Sequence, residues 1–106
     1  MHDAVIVLTT VPSPELGDAV GRALVEERLA ACVSVQPAMT SFYRWQGAVT
    51  RDTEHQLVIK TVLARVEAVC ARLRDLHPYD LPEFLVVAVA TGDPGYLAWV
   101  TESCGV

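Results

Sequence analysis

Apolar and polar positions divide the chain into segments in the order β-α-β-β-α-β, with a short helix to close. Ala4 to Leu8 is an unbroken apolar run rich in β-branched residues, the pattern of a central strand covered on both faces. Ser13 then suits a helix N-cap and Pro14 the first helical position, where a missing N–H costs nothing. Leu16, Ala19, Val20, Ala23 and Leu24 recur at three- and four-residue steps, which predicts an amphipathic helix running to near Leu29. Cys32 to Trp45 reads as extended, with Pro37 at a bulge or an unpaired edge position because it has no donor. Gln46-Gly47 turns the chain, and Ala48 to Thr61 returns as a second arm in which Leu57, Ile59 and Thr61 alternate with Gln56, Val58 and Lys60. Val62, Val66, Val69, Leu73 and Leu76 return to helical spacing until His77-Pro78 stops the helix. Phe84 to Ala90 predicts a buried fourth strand, and Asp93-Pro94 starts a short helix with Leu97 and Val100 inward.

This order is that of a single α+β domain over residues 1–106, a ferredoxin-like βαββαβ sandwich with an added C-terminal helix. Its central hairpin is out of proportion. Each arm, Cys32 to Trp45 and Ala48 to Thr61, has 14 residues, against about 5 or 6 in an ordinary strand. Fully extended, an arm reaches roughly 46 Å, while a compact chain of this length has a diameter of about 33 Å. The tip carries Phe42, Tyr43 and Trp45, so an unsupported ribbon would expose apolar surface and open strand edges. Cover by a partner subunit is the simplest expectation; the alternative is that Pro37 bends the ribbon back over its own sheet.

Composition narrows the partners. The 106 residues are 52% hydrophobic and 20% charged, which suits one core without disulfide staples. A net charge of -5, from 13 acids against 8 Lys and Arg, offers no basic footprint for nucleic acid. The longest apolar run has seven residues, Phe84 to Ala90, far short of the roughly 20 that a membrane span needs. Met1-His2-Asp3 lacks the basic start of a secretory signal, and Cys32, Cys70 and Cys104 are odd in number with no C-x-x-C pair. Both features lead us to expect reduced thiols and a cytoplasmic protein.

Several strings then fall together: Leu8-Thr9-Thr10-Val11-Pro12, Glu27-Arg28-Leu29-Ala30-Ala31-Cys32, Tyr43-Arg44-Trp45-Gln46-Gly47, Ile59-Lys60-Thr61, His77-Pro78-Tyr79-Asp80-Leu81-Pro82-Glu83 and Tyr96-Leu97-Ala98-Trp99. In this order and spacing they closely resemble the CutA divalent-cation tolerance family over about residues 4 to 103. The resemblance implies a ferredoxin-like subunit assembled through long hairpins into a PII-like homotrimer. It implies a metal-responsive, copper-ion-binding role, with copper or another divalent metal as the ligand. The alternative it leaves open is a PII-like sensor or adaptor that holds a small molecule in the cleft between subunits.

Two groups of residues are candidates for the chemistry. His77 is a metal-ligand candidate, since imidazole is the commonest metal ligand, and Cys32 matches a recurrent family position. Each has a plainer reading: His77 before Pro78 can cap the preceding helix, and Cys32 after Ala30-Ala31 can simply pack. Copper-binding relatives look as though they place Cys and His where this chain has Thr9 and Leu76, two donors fewer for a soft ion. The second group is Tyr43, Trp45, Glu54, Lys60, Tyr79, Glu83, Tyr96 and Trp99, which resembles the lining of the inter-subunit cleft. Glu54 and Lys60 share strand parity and so one side of the hairpin. Aromatic walls with a lysine and two carboxylates suit a small polar ligand, or equally an interface between copies. No Gly-rich phosphate loop, G-x-S-x-G elbow or H-E-x-x-H pair occurs, so catalysis is not expected.

Overall fold

The computed structural model describes residues 2–106. Its elements are β1 (Ala4–Val11), α1 (Pro14–Glu26), β2 (Cys32–Val35), β3 (Met39–Trp45), β4 (Ala48–Val62), α2 (Val66–Leu76), β5 (Leu85–Ala88) and α3 (Pro94–Ser103), with a 3-10 turn over Leu63–Arg65 before α2. One antiparallel sheet runs in the order β2-β4-β1-β5, and β3 continues along β4 beyond β2. The chain thus has the expected ferredoxin-like arrangement with an added C-terminal helix.

Helix α1 begins where the sequence predicts, with the Ser13 hydroxyl accepting from the Leu16 N–H at 3.2 Å and Pro14 in the first turn. It ends earlier than expected. Arg28 takes a left-handed φ of 59°, and the N–H of Leu29 turns back to the Leu24 carbonyl at 2.9 Å, closing the helix as a glycine would in other chains. Val62 likewise belongs to β4 rather than to the helix that follows.

One face of the sheet is closed. Val7 and Val11 of β1 and Leu57 and Ile59 of β4 point to α1 and α2, where Val20, Leu24, Val69 and Leu73 complete a cluster at most 3% exposed. Gly17 lets α1 lie close here, since a Cβ at that position would stand 3.0 Å from the Val35 side chain. At the end of the other face, α3 covers the paired Ala4 and Val62 with Val100 and Cys104.

The rest of that second face stays open. Register places Leu85, Leu8 and Val58 in one row across β5, β1 and β4, and Val87, Ile6 and Lys60 in the next. Directly opposed residues project to the same side, so these rows form one apolar strip that Lys60 closes at one corner. Leu85 and Val87 are 54% and 44% exposed. The expectation of a buried fourth strand over Phe84 to Ala90 is therefore corrected: β5 spans only Leu85–Ala88, pairs with β1 alone and is exposed at all four positions.

The long hairpin is present, with a break. Cys32–Val35 pairs with β4 in one register and Met39–Trp45 in another. Between Val35, opposite Leu57, and Met39, opposite Glu54, the first arm takes four steps to β4's three. Pro37 lies within this bulge, where its missing N–H leaves no ladder bond unmade. Strand β4 itself runs unbroken for 15 residues, a length of roughly 50 Å at full extension. Twist shortens it enough to lie along the longest of the molecular dimensions, 44 × 26 × 23 Å, and along neither of the others. The ribbon projects, and at its tip Phe42 and Val49 are 68% and 67% exposed.

Candidate binding groove

Where the ribbon leaves the body of the sheet, the segment following α2 comes back against it. Its anchor is His77, whose N–H still bonds the Leu73 carbonyl while its backbone has turned extended ahead of Pro78. The ring then ties two segments together. Nε2 donates to the Thr10 carbonyl at 2.6 Å, and Nδ1 accepts the Tyr79 N–H at 3.2 Å. The ring stacks at a tilt on Tyr79, 4.6 Å between centroids. His77 does cap α2 through its backbone N–H, while its ring reaches β1 rather than its own helix. Its one lone pair is already engaged.

Tyr79, so placed, donates its hydroxyl to Glu54 Oε2 at 3.1 Å. Burial, and after it the Glu54 carboxylate, pushes the Tyr79 phenol up to about 12. Farther along, Gln56 Nε2 donates to Glu83 Oε2 at 3.3 Å. Tyr43 donates to Asp52 across the ribbon, and this bond is the main cause that raises its phenol above the ordinary value. Between the ribbon and residues 78–83 lies a groove of ≈ 750 Å³. Glu54 is only 7% exposed at its wall.

Five of the eight predicted cleft residues, Tyr43, Trp45, Glu54, Tyr79 and Glu83, line this groove. The other three stand apart. Lys60 Nζ lies 5.9 Å from the Tyr96 ring centroid, and Tyr96 packs on Trp99 at 5.5 Å, forming a patch beside α3. Glu54 and Lys60 do share a face of β4, as their parity requires, but six residues of strand put them roughly 20 Å apart. One subunit does not hold the eight residues as a single cleft.

Cys32 and His77 are also separated. Cys32 sits opposite Lys60, whereas His77 is held at Thr10, which is paired with Gln56. Among the described residues no three His, Cys, Asp or Glu side chains converge as metal ligands. With the His77 nitrogens both bonded to backbone as well, the donors of one subunit do not fit a resident metal centre.

Sequence reasoning missed Asp52 and Gln56. Both have the parity of Glu54, so alternation along β4 was the signal that could have found them. It also missed Met39, Phe42 and Arg44, groove residues with no pattern of their own. Thr9, noted earlier as a departure from copper-binding relatives, is fully buried, and its hydroxyl has no hydrogen-bond partner among the described residues.

The fold and its surfaces define a class: a ferredoxin-like α+β domain with a projecting ribbon, an open apolar sheet face and a groove at the ribbon's base. Comparison with known proteins is specific within that class. The model of the CutA1 divalent ion tolerance protein family matches residues 5–103. The chain is 46% identical over 100 residues to the divalent-cation tolerance protein CutA of Thermus thermophilus, covering 94% of this chain and 97% of that one. It is 40% identical to the Pectobacterium atrosepticum protein of the same description, covering 95% and 92%. The crystal structure of CutA from Xylella fastidiosa superposes with a TM-score of 0.94 at 43% identity, over 96% of this chain and 98% of the other. The chain belongs to the CutA1 divalent ion tolerance family.

Proposed function

We propose that this chain serves divalent-cation tolerance as a homotrimer, copper among the ions it answers to, and that assembly rather than a metal cage within one subunit is the basis of its action. The observation that carries this reading is the apolar strip of Leu85, Leu8, Val58, Val87 and Ile6 beside a ribbon that overhangs its own domain. Such a strip is costly to leave in water and is the usual mark of a contact surface. The trimeric number comes from the family resemblance.

Assembly also offers a way to rejoin the divided cleft. A ribbon from one copy laid along the next brings Tyr43, Trp45 and Glu54 toward a neighbour's Lys60, Tyr96 and Trp99. At the same contact Cys32, opposite Lys60, would gain donors from another copy, whereas His77 could join a metal site there only by giving up its bond from the Tyr79 N–H. We place the protein in the cytoplasm, a reading supported by its three free thiols. We assign it no catalysis, no nucleic acid and no membrane; among the described residues no helix is long and apolar enough to cross one.

The test is complementation. Cells lacking the protein are challenged with Cu²⁺ and Zn²⁺, then supplied with the wild type, Val58→Asp or the double variant Cys32→Ala/His77→Ala. Rescue by the wild type and failure of Val58→Asp is the expected result. Rescue by a Val58→Asp protein shown to be monomeric would refute the role of assembly.

A further inference from the structure

We propose that Arg28 and Arg65 form a site for a small phosphate, free or as a monoester, at the end of the sheet away from the ribbon. Three stretches far apart in the chain meet there. Arg28 follows α1 with its left-handed φ of 59°. Arg65 closes the 3-10 turn ahead of α2, and its Nε donates to the Cys104 carbonyl at 3.0 Å. Gly105, at a φ of 70°, lies beside both: Arg65 Nη2 and Arg28 Cδ stand 3.5 and 3.9 Å from the point that a Cβ on this residue would take. Two guanidinium-bearing side chains thus flank a spot where the chain has no side chain of its own.

Their charge is not met within the chain. All ion pairs among the described residues run through Arg22 or Arg72. Glu27, next to Arg28, is held by Arg72 Nε at 3.0 and 3.1 Å, and neither Glu67 nor Glu102 pairs with Arg28 or Arg65. With Nε of Arg65 engaged by the carbonyl, its Nη groups remain as donors, as does the guanidinium of Arg28. Two positive charges this close repel, and an anion between them turns the repulsion into attraction.

The donors select the anion. A guanidinium presents planar pairs of N–H groups that fit phosphate oxygens. The charge of a phosphate near neutral pH approaches two, which matches two arginines where chloride or a monocarboxylate matches one. Helix α2 starts at this spot without a side-chain cap, so the positive end of its dipole adds to the attraction. Cys104 packs with Ala4 and Val62, whereas the ribbon leaves the sheet beyond Val11 and His55. No residue of the groove, the apolar strip or the ribbon takes part, so the inference does not rest on the assembly proposed above.

Calorimetric titration of the intact protein with inorganic phosphate and with glycerol 3-phosphate, each against sodium chloride at matched ionic strength, tests the site. Saturable binding is expected. Tighter binding of the ester would support a monoester as the ligand, and equal or tighter binding of inorganic phosphate would support the free ion. Arg28→Gly is the deciding variant, because glycine suits the left-handed position while the guanidinium is lost. It is expected to keep its fold by circular dichroism and to bind about fivefold or more weakly. Arg65→Lys keeps the charge without the planar fork and should weaken binding by about threefold or more; it decides the matter if Arg28→Gly does not fold. No saturable heat beyond the chloride control, or an affinity unchanged in the folded variants, overturns the proposal.

Discussion

The two halves of β4 are one unbroken strand in very different surroundings. From Leu57 to Lys60 it is flanked by β1 and β2, and Thr61 and Val62 pair with β1; Leu57, Ile59 and Thr61 are fully buried. From Ala48 to Thr53 it has β3 alone, and five of its six residues are exposed. The inner half is held by the subunit's own core. The outer half repeats the backbone pairing without any layer behind it, and a lone two-stranded ribbon is marginal in water. Continuity of strand is therefore no measure of stability; what lies against each face decides it.

Neighbouring substitutions in the inner half separate its two faces. Val58→Asp puts a charge into the open apolar strip. We expect dissociation to monomers and a loss of about 3–5 kcal/mol from the assembled state, measured as a melting temperature that no longer rises with protein concentration. Leu57→Ala, one residue away on the helix-covered face, should cost about 3 kcal/mol of subunit stability through the cavity it leaves. Denaturant unfolding of this variant should show the loss at every concentration. If both variants lowered stability in the same concentration-independent way, the distinction between closed and open face would fail.

A smaller effect lies at the junction of the halves. Tyr79→Phe removes the hydroxyl that ties residues 78–83 to Glu54, at a cost of about 1 kcal/mol. The sign of its pH dependence follows from the raised phenol, which favours the protonated form in the folded state. The contribution is intact below pH 10 and is lost as pH rises from 10 to about 12. The free energy of unfolding measured across that window should fall less steeply in Tyr79→Phe than in the wild type. A change of similar size should be a gain: Thr9→Val removes a buried hydroxyl without a partner among the described residues and is expected to raise stability by about 1 kcal/mol, read from the urea midpoint.

Much of the fold was legible because local chemistry agreed with it. Ser13-Pro14 and Asp93-Pro94 mark their helix starts as caps, and alternation from Gln56 to Thr61 gives the face that each residue takes. Pro37 foretold the bulge through its missing donor. What misled was burial inferred from apolarity. The Phe84 to Ala90 run looks like a core strand, yet in this chain it is an edge, since hydrophobicity records that a surface gains by being covered without recording what covers it. Arg28 hid the end of α1 because the left-handed position lacks the usual glycine.

The site divided along similar lines. Parity placed Glu54 and Lys60 on one side, but parity has no sense of distance along a strand. Tyr79 and Glu83 meet the ribbon only because His77 bridges α2 to β1, a contact across 67 residues that no local pattern encodes. Cys32 and His77, alike in being donors, fall on separate parts of the sheet.

Sedimentation equilibrium of the wild-type protein at micromolar concentration measures the need for neighbouring copies most directly. A single species of three times the 11.5 kDa chain mass is the expected result. A stable species at the mass of one chain, with Leu85 and Val87 left in water, would contradict it.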